Sequence, residues 1–178
     1  MSDLVDLYSQ FSNLLETAVQ RPVQDWQPKH SAKIDITINS EGLWFHEGKP
    51  IKRKEIVKVF SSILRKDIEG YCLVTPNEKF FIEVENVPFI AVELSTQGEG
   101  EDRNLLFRTN VDDIVKINEK NPIWIVDPDL NPRPYIRVRH DLNALLSRAT
   151  FYHLIDLCSW NNRTPYIFSG GVKFVFRG

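Results

Sequence analysis

Thr75-Pro76-Asn77-Glu78-Lys79 is the segment in which residue types and spacing come closest to a binding device. A threonine, a proline at the first helical position and a glutamate three residues after the threonine spell a capping box. That geometry exposes backbone N–H groups and Lys79 to an anion, or else makes a tight one-turn connection between strands. Phe107-Arg108-Thr109-Asn110 places a cation and two hydrogen-bonding side chains where a strand ends. Arg137 and Arg139 alternate, so both are expected on one face of a strand. The planar fork of arginine suits carboxylate or phosphate.

Other chemistry is poorly supported. Gly42 to Gly48-Lys49 mimics a phosphate-binding loop, but the gap is five residues and Pro50 stands where Ser or Thr is required. Asp127, Asp129 and Asn131 begin like a calcium loop, yet Pro132 replaces the obligatory glycine and Val138 the bidentate glutamate. His30, His46, His140 and His153 show no zinc-ligand spacing, and no metal or cofactor is expected. Cys72 and Cys158 lie far apart in apolar patterns and read as reduced core thiols. Asp112-Asp113 are adjacent and so face different ways, which suits a turn better than paired acid–base work.

The elements that must position these residues are read from periodicity. Residues 2 to about 20 form an amphipathic pattern, with Leu4, Tyr8, Phe11, Leu15 and Ala18 at helical spacing and Pro22 ending it. Such a helix needs an apolar partner, either the following domain or a second copy of the chain. Ile34, Ile36 and Ile38 alternate as a strand, a turn follows at Asn39 to Gly42, and Leu43 to His46 returns. Ile56, Val57, Phe60, Ile63 and Leu64 make a helical core stripe, with Lys54, Lys58 and Arg65 on the opposite face. Strands are expected at Tyr71–Thr75, Phe80–Glu85 and Phe89–Leu94, giving ββαβββ. The polar segment Gln97 to Asp102 is a loop or domain boundary. Beyond it, strands at Leu105–Arg108, Ile123–Val126 and Tyr135–Arg139 precede a helical stretch from Leu142 to Trp160, split at Thr150. A hairpin through Gly170-Gly171 closes the chain. Both halves thus run strands, helix, strands, as a structural duplication would.

The chain has 178 residues, 42% apolar and 26% charged, with 22 basic against 24 acidic groups. This excludes disorder and low-complexity classes, and a net charge of −2 argues against a nucleic-acid partner. The balance hides asymmetry: Lys49 to Lys66 carries seven basic residues and one acid, Asp67 to Asp102 nine acids and one base. The acidic start Met1-Ser2-Asp3-Leu4-Val5-Asp6 is unlike a secretory signal, and no apolar stretch nears the roughly 20 residues of a membrane span. A cytoplasmic location is expected.

A series of ordered blocks resembles one known family. The blocks are Gly42-Leu43-Trp44-Phe45, Gly48-Lys49-Pro50-Ile51, Leu64, Asp67, Gly70-Tyr71 and Leu73 through Lys79. Val87-Pro88-Phe89, Phe107-Arg108-Thr109-Asn110 and Pro134 through Arg139 continue the series. Over about residues 30 to 160 the chain resembles the uncharacterised bacterial domain-of-unknown-function family twelve eighty-five, departing from it at Ala149, where a proline is expected. The resemblance implies an α+β fold: an N-terminal helix, then two β-rich domains that are structural repeats, the second loosely pleckstrin-homology-like. It implies a site at the interface of the domains and a role in signalling or regulation.

The expected organisation is therefore helix and linker over 1–28, a first domain over 29–100 and a second over 101–178. The expected function is non-enzymatic binding of an acidic ligand or protein partner. Thr75, Glu78, Lys79, Arg108, Thr109, Asn110, Arg137 and Arg139 are its candidate residues. The alternative is an enzyme acting on a phosphorylated small molecule, with Glu78 or Asp112 as general base. Dimerisation through the N-terminal helix is the third expectation.

Overall fold

The computed structural model describes residues 22–127 and 131–176. The chain divides after Asn86 into two compact units. Fifteen strands in three sheets and two short helices make up the described residues, together with a 3-10 turn at Gly100–Asp102. The α+β expectation, with its pleckstrin-homology-like second domain, is corrected accordingly: the described fold is predominantly β. The helix expected over residues 2 to 20 lies outside the described residues. Among the described residues no helix is long and apolar enough to cross a membrane.

The first unit contains β1 (His30–Ile38), β2 (Trp44–His46), β3 (Lys49–Pro50), α1 (Lys54–Ser62), β4 (Leu64–Asp67), β5 (Gly70–Val74) and β6 (Glu78–Val84). The isoleucine alternation does form β1, with Ile36 and Ile38 fully buried. In α1 the buried residues are Ile56, Val59, Phe60 and Ser61, and the Phe60 ring lies 6.1 Å from that of Trp44. The helix stops at Ser62, so Leu64 and Arg65 belong to β4 and not to the helical stripe. Arg65, expected on a solvated helix face, is buried.

The second unit contains β7 (Phe89–Gln97), β8 (Asn104–Thr109), β9 (Ile114–Lys116), β10 (Ile123–Val126), β11 (Arg133–Arg139) and β12 (Leu142–Leu146). It continues with α2 (Arg148–Leu157), β13 (Ser159–Asn161), β14 (Thr164–Ser169) and β15 (Val172–Val175). The polar segment Gln97 to Asp102 joins β7 to β8 inside this unit. Leu142–Leu146, expected as helix, is a strand that pairs with β11 on one side and β7 on the other. Leucine and alanine are good helix formers, but propensity is a weak prior that two strand partners override. Ser147 caps α2 instead of Thr150, its Oγ accepting a bond from the Thr150 N–H at 3.2 Å.

The expected duplication of strands, helix and strands does not hold in that form. Helix α1 sits between the third and fourth strands of its unit, whereas α2 follows the sixth. What recurs is the sheet. Counted within each unit, both six-stranded sheets have the order 3-2-1-6-5-4. In each, two antiparallel meanders join through a parallel pairing of first and last strands, β1 with β6 and β7 with β12. A three-stranded sheet, β13-β14-β15, completes the second unit. Its Ser169 Oγ accepts a bond from the Leu105 N–H and donates one to the Ile117 carbonyl.

Candidate functional site

In the first unit, only Thr75, Pro76 and Asn77 separate β5 from β6, so the capping-box residues build a hairpin turn and no helix. The Thr75 N–H donates to the Glu78 carbonyl at 2.9 Å, and the Glu78 N–H donates to Thr75 Oγ1 at 3.0 Å. The N–H groups of Thr75 and Glu78 are thus bonded within the turn. Glu78 is exposed at the start of β6.

Lys79 is held by Asp67, Nζ to Oδ2 at 2.8 Å, and lies 5.0 Å from the Phe81 ring centroid. The same carboxylate takes two bonds from Arg65, Nε to Oδ1 at 2.6 Å and Nη2 to Oδ2 at 2.9 Å. Arg65 Nη1 donates to the carbonyls of Val23 and Trp26. The bonds from Arg65, followed by those from Lys79, hold the Asp67 carboxyl below the usual carboxylate range despite partial burial. Burial pushes the neighbouring Cys72 thiol up to about 11. Arg65 and Asp67 were absent from the expected site, and together with Lys79 they form an internal clamp.

In the second unit, Arg108, Thr109 and Asn110 shape the connection from β8 to β9. Arg108 pairs with Glu93 at 2.7 Å and with Asp112 at 3.2 Å, both at the surface. Thr109 is fully buried, and its Oγ1 accepts bonds from the N–H groups of Val111 and Asp113. Asn110 exchanges two bonds with the backbone of Ile90. Asp112, one of the two residues considered as a base, is half-exposed and paired with Arg108.

A register shift between Arg137 and Arg139 breaks the alternation of β11, so these two arginines do not share a face. Arg139 pairs with Asp113 and lies 5.0 Å from the Phe89 ring centroid. Asn121 Nδ2 braces the shift by donating to the carbonyls of Arg137 and Val138.

Arg137 stands apart from the other candidate cations. It has no acidic partner among the described residues, and its Nε is buried without a hydrogen bond. Its neighbour across the strands is Asn143, whose Oδ1 is likewise buried and unpartnered. Tyr135 and Leu145 occupy the next paired positions on this face, and the Trp124 ring stacks on Tyr135 at 5.9 Å. Asn143 was not foreseen because its segment reads as helix. Among the described residues, no group of three His, Cys, Asp or Glu side chains is arranged to hold a metal ion.

Two family models match the chain: the N-terminal domain of DUF1285, a domain of unknown function, over residues 21–87, and the C-terminal domain of DUF1285 over residues 88–176. A crystal structure of a DUF1285 family protein from Silicibacter pomeroyi DSS-3 is similar, with 35% identity and a TM-score of 0.88. That match covers 99% of this chain and 95% of the other. A DUF1285 family protein from Shewanella baltica OS155 is 25% identical, with a TM-score of 0.58, over 72% of this chain and 94% of its own. No curated protein matches.

Proposed function

The chain belongs to the DUF1285 family, and from that premise we propose that its second unit is a non-enzymatic binding module for an acidic ligand. The ligand lies on the sheet face of Trp124, Tyr135, Arg137 and Asn143. Arg137 supports this reading more than any other candidate, because Lys79, Arg108 and Arg139 are each neutralised by a carboxylate while Arg137 is not. A buried donor without a partner costs about 1–3 kcal/mol, which an anionic oxygen on the guanidinium offsets. Asn143 Oδ1 calls for a donor on the same ligand, such as a hydroxyl or N–H beside the acidic group. A role in cytoplasmic signalling or regulation belongs to the same reading, since a module that holds a ligand unchanged acts through the state it stabilises.

Thermal melting of the full chain with citrate, glutamate and inorganic phosphate tests the proposal. At least one is expected to raise the midpoint, and Arg137→Ala is expected to remove that rise. No shift with any of the three, or a shift that survives in Arg137→Ala, rejects this site.

A further inference from the structure

A concavity lies on the outer face of the small sheet, and Arg137 and Asn143 are not among its lining residues. Asn162 and Arg163 form the two-residue turn between β13 and β14, with φ of 44° and 68°. Both angles are positive, as a tight hairpin of the right twist requires. The turn sets Asn161 and Asn162 at one end of a cavity of about 270 Å³, lined further by Thr164, Tyr166, Lys173 and Val175. That volume is near the small end of ligand pockets, which start at roughly 300 Å³.

The lining chemistry is specific. Lys173 Nζ lies 4.0 Å from the Tyr166 ring centroid and 5.8 Å from that of Phe168. The two rings meet edge to face at 6.1 Å, so the ammonium rests on an aromatic corner. No carboxylate pairs with Lys173 among the described residues, and aromatic faces attract a cation without neutralising it. Asn161, Asn162 and Thr164 add groups that both donate and accept, and none of their side chains bonds to another described residue. Paired donor–acceptor groups match vicinal hydroxyls, which also donate and accept, while Val175 offers an apolar surface to ring C–H groups.

We propose that this concavity binds a small polyhydroxylated anion, of the sugar-acid or sugar-phosphate class. Lys173 takes the acidic group and Asn161, Asn162 and Thr164 take hydroxyls. The site is independent of Arg137. It is tested by titrating the ¹⁵N-labelled full chain with glucuronate, glucose 6-phosphate, glucose and inorganic phosphate, following backbone amide signals of residues 161–166 and 173. One of the two acidic sugars is expected to move these signals saturably, which also tells carboxylate from phosphate. Glucose and inorganic phosphate are expected to bind at least about tenfold more weakly.

Lys173→Met, at an exposed position, is expected to weaken binding about tenfold or more. Asn162→Gly keeps the positive φ and removes the amide, and is expected to act in the same direction. Arg137→Ala leaves these shifts unchanged. The proposal is overturned if neither acidic sugar produces saturable shifts below about 10 mM. Equal binding of glucose, or binding unaltered in Lys173→Met, also overturns it.

Discussion

Arg65 grips both carboxylate oxygens of Asp67, two residues further along β4, and with its remaining nitrogen holds the carbonyls of Val23 and Trp26. One buried guanidinium thereby fastens the segment that precedes β1 to the far edge of the first sheet. Asp67→Ala leaves the Arg65 charge buried and unmatched and deprives Lys79 of its acid. A loss of about 3 kcal/mol is expected in urea denaturation, because breaking a buried pair costs more than the pair contributes.

The same carboxyl gives a pH dependence of defined sign. Its pKa is lowered in the folded chain, chiefly by the bonds from Arg65. The unfolded chain therefore takes up the proton first as pH falls. The contribution of Asp67 is present in full above about pH 4 and is lost as pH drops from there through the lower folded value. Unfolding free energy measured from pH 7 to pH 3 should decline less in Asp67→Asn than in the native chain.

Arg137→Met is expected to behave in the opposite way to a change at Arg65. Its buried Nε has no partner, so replacing the guanidinium stem by an apolar chain of similar length removes a desolvated donor. The thermal midpoint should hold or rise. A fall by several degrees would show that Arg137 supports the fold and not a ligand.

Gly170 tests the small sheet. Its φ is +57°, and a Cβ there would meet Asn118 Cβ and the Ile117 carbonyl oxygen, each at 3.0 Å. Gly170→Ala combines a left-handed backbone, costing about 1–2 kcal/mol, with that crowding. A stability loss of at least this size is expected. Gly171→Ala, with the same backbone demand and nothing within 4 Å, should lose less.

The elements legible in the sequence are those whose periodicity and burial agree. Ile34, Ile36 and Ile38 alternate, although Ile34 is only half-buried, and the Gly170-Gly171 turn lies between two strands. Leu142 to Leu146 misleads because apolar residues fill both phases of the alternation, and only its pairing with β7 and β11 reveals a strand. The individual pairings of the charged residues are not legible in the sequence. Lys79, Arg108 and Arg139 each find an acid that is distant in sequence or on another strand, as with Asp113 and Arg139, 26 positions apart. Spacing along the chain carries no trace of such pairs. Arg137 and Asn143 become a pair only once a register between β11 and β12 exists.

The parallel joint at the middle of each six-stranded sheet also shapes how the chain acquires its structure. In the first unit, β1 cannot find its inner neighbour until β6, some forty residues later, has left the ribosome. Each meander can form locally and quickly, but the central seam waits for the last strand, and such long-range closure is slow. Until then the inner edge of the first meander is open to pairing with another chain. Synthesis of each six-stranded sheet therefore ends on the strand that seals it, so a pause or truncation just before β6 or β12 exposes a vulnerable intermediate, whereas one just after leaves that sheet closed.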